Sequence, residues 1–401
     1  MVSLKIDLAR EVDDAVASSL AKLGREALWR TYSGQQQADL SAQLRSILGC
    51  SEIGLTSSGT AALEMALRAC RLAPGDEVLL AGYDYPGSFA AIERAGARPA
   101  LVDVEASSWN LSFDSLNAVV RPECRVLVAS HLHGQLQPMA ALGEWCRQRK
   151  IWLLQDACQA LGATIGGQPL GQHGDATILS FGGSKLISAG RGGAWATNNS
   201  ELAQRARLAG GVGSGAYELS ELQASAILAQ LPFLERMTHC CRNFFAKQAA
   251  SLTVSCPRAF APWLDSLQET AFYQAGWILP AKPHSAHAHT DTPLFRQNED
   301  HQAVSSLGSQ SGNHPELENA AWEEISQARR AAHERIGIGA GFPGFHRRSP
   351  RRCRVECTLR NTEALVRSTL TVHYRAALND LPVAEMIAVY DNKSLLDQGS
   401  P

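Results

Sequence analysis

A lysine in a loop of small residues is the first feature of this sequence that could do chemistry. Lys185 follows the segment 180–184, which reads Ser-Phe-Gly-Gly-Ser, and precedes a glycine-rich stretch at 190–193. A lysine amine forms a Schiff base with a carbonyl group only when it is unprotonated, a state that partial burial and nearby cations favour. The glycines leave room for a flat cofactor. Taken alone, however, the segment is more typical of a surface lysine in a flexible loop.

A second candidate is a group of hydroxyl residues and a glycine, Ser57-Ser58-Gly59-Thr60, directly before a helical pattern. At such a helix start, free backbone N–H groups, the positive end of the helix dipole and the hydroxyl groups can hold a phosphate. The dipole contributes only about 0.3–1 kcal/mol, so the N–H groups and hydroxyls must supply most of the binding. Taken alone, the pattern is more typical of a simple helix N-cap.

Two further candidates follow apolar runs. The run 151–155 ends at Asp156, and ligands of open parallel sheets lie beyond the carboxyl ends of the strands. Asp156 is therefore placed to meet a cationic group such as a protonated pyridine nitrogen, although a helix N-cap explains it equally well. Tyr83, Tyr85 and Phe89 follow another run, and one of these rings could either lie on a flat ligand or pack in the core.

The elements that must position these residues alternate along the chain. Apolar runs typical of strands occupy residues 77–81, 98–104, 125–130, 151–155 and 176–181, and helical patterns lie between them at 60–70, 87–95 and 139–148. Strands separated by helices predict βαβ units and a mostly parallel sheet. Residues 1–50 have the spacing of peripheral helices, and residues 221–236 also have helical spacing. We therefore predict an α/β protein.

The length of 401 residues predicts more than one domain. We expect an N-terminal segment and a large ligand-binding domain over residues 1–240, and a smaller C-terminal α/β domain over residues 241–401. The polar segment 281–315 is more typical of a surface loop than of a metal site, because its histidines have no fixed spacing. Residues 318–336 have helical spacing, and residues 365–373 fit a strand or a short helix.

Composition narrows the functional classes. The formal net charge is −2, so no nucleic-acid partner is expected. No apolar run approaches the roughly 20 residues of a membrane-spanning helix, and no signal sequence is visible, so we expect a cytoplasmic protein without a membrane partner. The 10 cysteines match no zinc spacing, so we expect no metal site and mostly buried free thiols.

In their order and spacing, the four candidate segments resemble the DegT/DnrJ/EryC1/StrS family of pyridoxal-phosphate (PLP)-dependent aminotransferases. The resemblance runs from about residue 30 to residue 235 and continues more thinly to the C-terminus. The segment 126–134, which ends His131-Leu132-His133-Gly134, is similar to the family's central strand and turn. The resemblance implies a fold-type-I PLP-transferase, in which a large domain with a mostly parallel sheet is followed by a smaller C-terminal α/β domain.

The resemblance also implies a role for each matching residue. Lys185 would form the Schiff base with PLP and then transfer protons, and Asp156 would pair with the pyridine N–H so that the ring accepts electrons. Tyr85 would stack on the ring, and Gln159 would lie near the ring hydroxyl. The phosphate would be bound by the family's phosphate-loop residues and one further serine: Ser58, Gly59, Thr60 and Ser180.

The leading hypothesis is therefore an aminotransferase. The resemblance implies a glutamate or glutamine donor, a keto or aldehyde acceptor such as a keto-sugar or cyclitol, and a homodimer with the active site at the interface. Three positions depart from the family's pattern: Arg191 replaces a residue that is often acidic, and Ala216 and Glu218 replace an Asn and an Arg. These departures leave the acceptor open, and it need not be a nucleotide sugar.

Two alternatives remain open on the sequence. The first is another PLP reaction on the same scaffold, such as a lyase, a decarboxylase or a carbon–carbon bond-forming enzyme, because substrate orientation decides which bond breaks. The second is a non-catalytic PLP-fold regulator, which the presence of Lys185, Asp156 and the Ser-Gly-Thr segment disfavours.

Overall fold

The structure is a computed structural model that describes most of the chain. The described residues are 2–211, 217–255, 259–278, 338–339, 341–346 and 348–378. The predicted polar loop at 281–315 and the predicted helix at 318–336 lie outside these residues.

A seven-stranded sheet with the order β1-β9-β8-β5-β4-β2-β3 forms the centre of the molecule. Strands β8, β5, β4, β2 and β3 pair in parallel, and only β9 runs antiparallel to its neighbours β1 and β8. The predicted α/β fold with a mostly parallel sheet is therefore confirmed. The bounds are β1 (Glu52–Thr56), β2 (Glu77–Ala81), β3 (Arg98–Val102), β4 (Cys124–Ser130), β5 (Trp152–Asp156), β8 (Ala176–Ser180) and β9 (Gly193–Thr197).

All five strands expected from the sequence are present within two residues of their predicted ends, while β1 and β9 were not predicted. Both missed strands adjoin segments that stood out for their chemistry, the Ser-Gly-Thr run and the glycines at 190–193. A short antiparallel pair, β6 (Thr164–Ile165) and β7 (Gln168–Pro169), lies apart from the main sheet.

Helices flank the sheet as the periodicity predicts. The bounds are α1 (Val2–Arg25), α2 (Gln35–Leu48), α3 (Gly59–Ala69), α4 (Pro86–Arg94), α5 (Phe113–Val119), α6 (Met139–Arg149), α7 (Ser200–Ala209), α8 (Glu221–Gln230) and α9 (Leu234–Ser255). Of the helices in the described ranges, none combines the length and apolar character that a bilayer crossing requires.

The expectation that residues 1–50 are peripheral is wrong for α2. Leu40, Leu44 and Leu48 are buried in the main core, and α2 packs against α8. The helical pattern predicted over 221–236 is also not one helix. It is interrupted by a 3₁₀ turn at Leu231–Phe233, because Pro232 has no N–H group with which to continue the helix.

A second, smaller sheet supports the C-terminal part of the chain. Its antiparallel order is β10-β12-β11, with β10 (Gln274–Ile278), β11 (Ile338–Gly339) and β12 (Thr369–His373). Residues 365–373, predicted as a strand or a short helix, contain both, since α10 (Arg360–Ser368) leads directly into β12, which is followed by α11 (Tyr374–Leu378). The proposed domain boundary at 240/241 falls inside α9 and stays a prediction.

A buried ion pair ties the C-terminal region to the large sheet. Arg354 lies beside β3 at the edge of the sheet. Its backbone N–H donates to the carbonyl of Pro99, and its carbonyl accepts the N–H of Leu101. Its guanidinium binds Glu77 at 2.6 Å, and both side chains are more than 90% buried. The same guanidinium donates to the carbonyl of Val119 at 2.9 Å. Removing Arg354 would leave the Glu77 charge buried and without its ion-pair partner.

We predict that Arg354→Met destabilises the protein by about 3–5 kcal/mol, because Glu77 would remain as an uncompensated buried charge. The control is Arg352→Met, since Arg352 pairs with Glu93 at the surface with half of its side chain exposed. That change should cost less than about 1 kcal/mol. Urea unfolding of both variants measures the difference, and equal losses would contradict a special role for Arg354.

Candidate active site

One cavity of about 300 Å³ opens where several strands of the large sheet end. It lies beyond β5 and β8 and beside the N-terminus of α3, in agreement with the general position of ligands in open parallel sheets. All the residues predicted from the sequence to hold a cofactor line it: Ser58, Gly59, Thr60, Tyr85, Asp156, Gln159, Ser180 and Lys185. The structure thus brings together residues that are up to 127 positions apart in sequence.

The N-terminus of α3 forms one end of the cavity. Ser58 is the N-cap, and its hydroxyl accepts the N–H of Ala61 at 3.1 Å. The two preceding N–H groups, those of Gly59 and Thr60, have no partner inside the helix and can donate to an anion. The N-cap and the phosphate-binding interpretations are therefore compatible.

Two glycines allow this helix end to approach its neighbours. A Cβ on Gly59 would lie 2.8 Å from both Cys158 Sγ and Ser180 Cβ. A Cβ on Gly193, at the start of β9, would overlap the backbone of Ser58 and Gly59. Strand β9 therefore packs directly against the backbone that would bind an anion.

Asp156 and Gln159 are fixed in orientation at the middle of the cavity. Asp156 is 8% exposed, and its Oδ1 accepts the N–H of Cys158 at 2.9 Å. Gln159 Oε1 accepts the N–H of His133 at 3.0 Å. Because its oxygen is occupied, the Gln159 amide presents its NH₂ group as the donor to a ligand. The pair thus offers an anion and a neutral donor, which fit a pyridine N–H and a ring oxygen.

The small sheet holds the lysine loop. Lys185 Nζ lies 4.1 Å from the centre of the ring of Tyr273, the residue that directly precedes β10. The Tyr273 hydroxyl donates to Ser184 Oγ at 3.1 Å, and His373, the last residue of β12, donates from Nε2 to the Ser184 carbonyl at 2.7 Å. These contacts fix the loop that carries Lys185, and they disfavour the interpretation of Lys185 as a surface lysine in a flexible loop.

The three aromatic residues after β2 have separate positions. Tyr83 and Phe89 are buried in the core, whereas the Tyr85 ring is 50% exposed and lines the cavity. The centre of the Tyr85 ring lies 5.8 Å from that of Phe342. Tyr85 is therefore the ring available to cover a flat ligand.

His131 is a cavity residue that the sequence did not single out. Its Nδ1 accepts the N–H of Gln137 at 2.9 Å, and its Nε2 donates to Gln155 at 2.7 Å when the amide oxygen faces the ring. Burial lowers the pKa of His131 to about 3, so the ring is neutral and contributes a flat surface rather than a proton.

Other residues that line the cavity were not among the predicted cofactor-binding residues: Leu63, Ser88, Leu132, Cys158, Gly182, Ser184, Gly190, Arg191, Gly192, Tyr273 and Phe342. The rule that sites lie at strand ends could have found His131, which directly follows β4. No spacing in the sequence links Tyr273 or Phe342 to the other residues. Within the described ranges, no three potential metal ligands of the His, Cys, Asp or Glu type form a cluster.

Comparison with known proteins identifies the family of this chain. Residues 13–254, more than half of the chain, match the DegT/DnrJ/EryC1/StrS aminotransferase family. The chain belongs to this family of PLP-dependent enzymes.

The chain is similar to several characterised proteins. It is 35% identical to GDP-perosamine synthase of Caulobacter vibrioides over 187 residues, which cover 44% of this chain and 50% of that one. It is 33% identical to L-glutamine:scyllo-inosose aminotransferase of Streptomyces griseus over 201 residues, covering 45% and 47%. The matched region therefore spans about half the length of these enzymes. A longer match, 29% identical and covering 80% and 89%, is to the pleiotropic regulatory protein of Geobacillus stearothermophilus.

Two solved structures share the fold of this chain. An aminotransferase of the family from Brucella abortus has a TM-score of 0.72 and 18% identity, covering 94% of this chain and 95% of that one. NtdA of Bacillus subtilis, solved with bound cofactor PMP, has a TM-score of 0.71 and 19% identity, covering 95% and 82%. These likenesses confirm the predicted fold-type-I architecture.

The departures from the DegT-family pattern are partly visible in the structure. Arg191 lines the cavity between Gly190 and Gly192, and Glu218 is exposed. Ala216 lies outside the described residues. An arginine at the cavity edge adds positive charge next to the α3 N-terminus.

We predict that Gly193→Ala destabilises the protein by about 1–3 kcal/mol, because the added methyl group must push β9 away from the start of α3. The same shift should weaken PLP binding, since it moves the Gly59 and Thr60 N–H groups. Thermal unfolding and PLP titration measure the two effects.

The matched control for this substitution is Gly143→Ala, in the middle of α6, where a Cβ meets no atom within 4 Å. Alanine there should be neutral or stabilising by up to about 1 kcal/mol, because it has the higher helix propensity. A Gly193→Ala protein as stable as Gly143→Ala would contradict the packing argument.

Proposed function

We propose that this protein is a PLP-dependent aminotransferase that moves an amino group from an amino-acid donor, glutamate or glutamine, to a keto or aldehyde acceptor such as a keto-sugar or cyclitol. We further propose that it works in the cytoplasm as a homodimer. The observation that carries the proposal is the convergence of Lys185, Asp156 and the α3 N-terminus on one cavity in a chain of this family. The names of the Caulobacter and Streptomyces relatives support a sugar-like or cyclitol acceptor, and the latter a glutamine donor.

The bound cofactor would supply an electron-accepting ring that stabilises negative charge at the substrate carbon next to the nitrogen. Asp156 would keep the ring nitrogen protonated, because a carboxylate favours a cation beside it. Gln159 would donate its NH₂ group to the ring oxygen, and the Gly59 and Thr60 N–H groups would bind the phosphate. Tyr85 would cover one face of the ring.

Lys185 would hold the cofactor through its amine and would carry a proton to and from the substrate carbon. The Tyr273 ring, 4.1 Å from Lys185 Nζ, would stabilise the amine whenever it holds the extra proton. The bonds from Tyr273 and His373 to Ser184 would keep the amine within reach of the reacting carbon. Phe342, beside Tyr85, would limit the entry of water.

A non-catalytic regulator is the second candidate, because the longest curated match described above is to a regulatory protein. A regulator needs only to bind the cofactor, whereas an aminotransferase must also exchange its amino group. The two are separated by asking whether bound PLP is converted to pyridoxamine phosphate when an amino donor is added.

We predict that the purified protein binds PLP with a Schiff-base band near the visible range, and that Lys185→Ala replaces this band by that of the free PLP aldehyde, because PLP still binds but without a covalent link. The control is Lys247→Ala, which changes an exposed lysine on α9 and should keep the band. Absorbance spectra taken before and after borohydride reduction separate covalent from reversible binding.

Addition of glutamate or glutamine to the wild-type protein should replace the band by that of pyridoxamine phosphate, and a keto acceptor should restore it. A wild-type protein that stays colourless with added PLP would refute the proposal. A coloured protein that no amino donor converts would instead favour a regulator or another PLP reaction.

A further inference from the structure

A second carboxylic acid lies behind the proposed cofactor site, and none of the roles above uses it. Asp84, three residues after β2, is completely buried. Its Oδ2 accepts the Ser130 hydroxyl at 2.7 Å, and its Oδ1 accepts the Tyr85 N–H at 2.6 Å. Ser88 Oγ, which belongs to a cavity-lining residue, lies 3.5 Å from Oδ1.

Strand order places Asp84 near Asp156. Strand β4 lies between β2 and β5, so its last residue, Ser130, separates the two acids. Ser130 is the register partner of Asp156 and the hydrogen-bond donor to Asp84. The two acids therefore lie on either side of Ser130, at the ends of the strands that flank β4.

The surroundings of Asp84 contain no compensating charge. The titratable groups that act on it or feel it are Tyr83 on its own turn, Asp156 at the end of β5, and Cys158 just after that strand. In the described part of the chain no lysine, arginine or histidine forms an ion pair with it. Burial first, and the negative charge of Asp156 second, raise the pKa of Asp84 to about 8. Burial thus favours the protonated form of Asp84 more than it would for an exposed aspartate.

We propose that Asp84 and Asp156 act as a pair of carboxyl groups around one exchangeable proton, and that Asp84 releases its proton when the cationic pyridine ring binds beside Asp156. The inference rests on the proposed cofactor function. The O–H bond of Asp84 breaks and the proton passes to solvent, while the ring N–H bond stays intact. The two acids together carry one negative charge before binding, and the two acids and the ring N–H together carry one after it.

The same coupling works in the other direction, because linkage between two sites is reciprocal. An ionised Asp84 adds a second negative charge near the ring nitrogen and raises the pKa of that nitrogen. The ring would therefore keep its proton, and with it the ability to accept electrons, to higher pH than with Asp156 alone. Asp84 would therefore act through its charge on the ring nitrogen, without contacting the reacting atoms.

The test uses pyridoxine 5′-phosphate, whose alcohol cannot link to Lys185, and its analogue with carbon in place of the ring nitrogen. Calorimetric titration in buffers of different ionisation heat counts the protons exchanged on binding. Near neutral pH, the wild type should bind about one proton fewer per ligand than Asp84→Asn. With the carbon analogue, which has no ring cation, this difference should vanish.

The pH dependence follows from the sign of this proton release. Relative to Asp84→Asn, wild-type affinity for pyridoxine 5′-phosphate should rise by up to about tenfold per pH unit as the pH rises, and it should level off above about 8, the pKa of the free-protein acid. Ser130→Ala is a milder second variant. It removes a hydrogen bond that lowers the pKa of Asp84, so the level region should begin at higher pH.

Asp103→Asn provides the matched control, because Asp103 is also a buried acid, bound to Thr362 and outside the cavity. It should exchange the same number of protons as the wild type. Equal proton counts for the wild type and Asp84→Asn, or a difference that persists with the carbon analogue, would overturn the proposal. A wild type that binds no pyridoxine 5′-phosphate would overturn the cofactor function itself, and this inference with it.

Discussion

The close contact between strand β9 and the first residues of α3 is the constraint on which the cavity depends. β9 is the antiparallel strand of the large sheet, and it inserts between β1 and β8. Its first residue, Gly193, packs on the backbone of Ser58, and the preceding Gly192 pairs with Ser58. Because β1 leads into α3, this contact fixes the position of the free N–H groups at the helix start. The loop that carries Lys185 connects β8 to β9, so the same contact fixes one end of that loop.

The two oppositely charged residues of the cavity, Asp156 and Lys185, are positioned by different sheets. Asp156 is held by the large sheet, whereas Lys185 is held by contacts from the small sheet through Tyr273 and His373. A buried histidine of the same cavity, His131, is kept neutral by its burial. A neutral ring adds no charge to the cavity and does not compete for the proton that the proposed chemistry requires.

The sequence predicted the parts of the site that follow from local pattern. A strand end locates Asp156, and the Ser-Gly-Thr run locates the start of α3, whereas Ser180 came from the family resemblance. Their order along the chain was more informative than any single segment, since no segment alone favoured a cofactor site over an ordinary structural explanation. The structure shows that two of these explanations coexist, because Ser58 caps α3 while the next two N–H groups remain available to a ligand.

What could not be predicted depends on contacts between distant segments. Tyr273 and Phe342 reach the cavity only because the small sheet and the segment before α10 pack against the end of the large sheet, and no periodicity encodes that packing. Asp84 illustrates the same limit in a stronger form. In the sequence it is one acid in a Tyr-Asp-Tyr turn, and an exposed turn residue is the simplest interpretation. Its burial follows from Ser130 on the neighbouring strand and from Tyr85, whose N–H it accepts. An acid that is costly to bury without a partner, located beside the aspartate proposed to pair with the ring, is most simply explained if its partner is the cation that binds there.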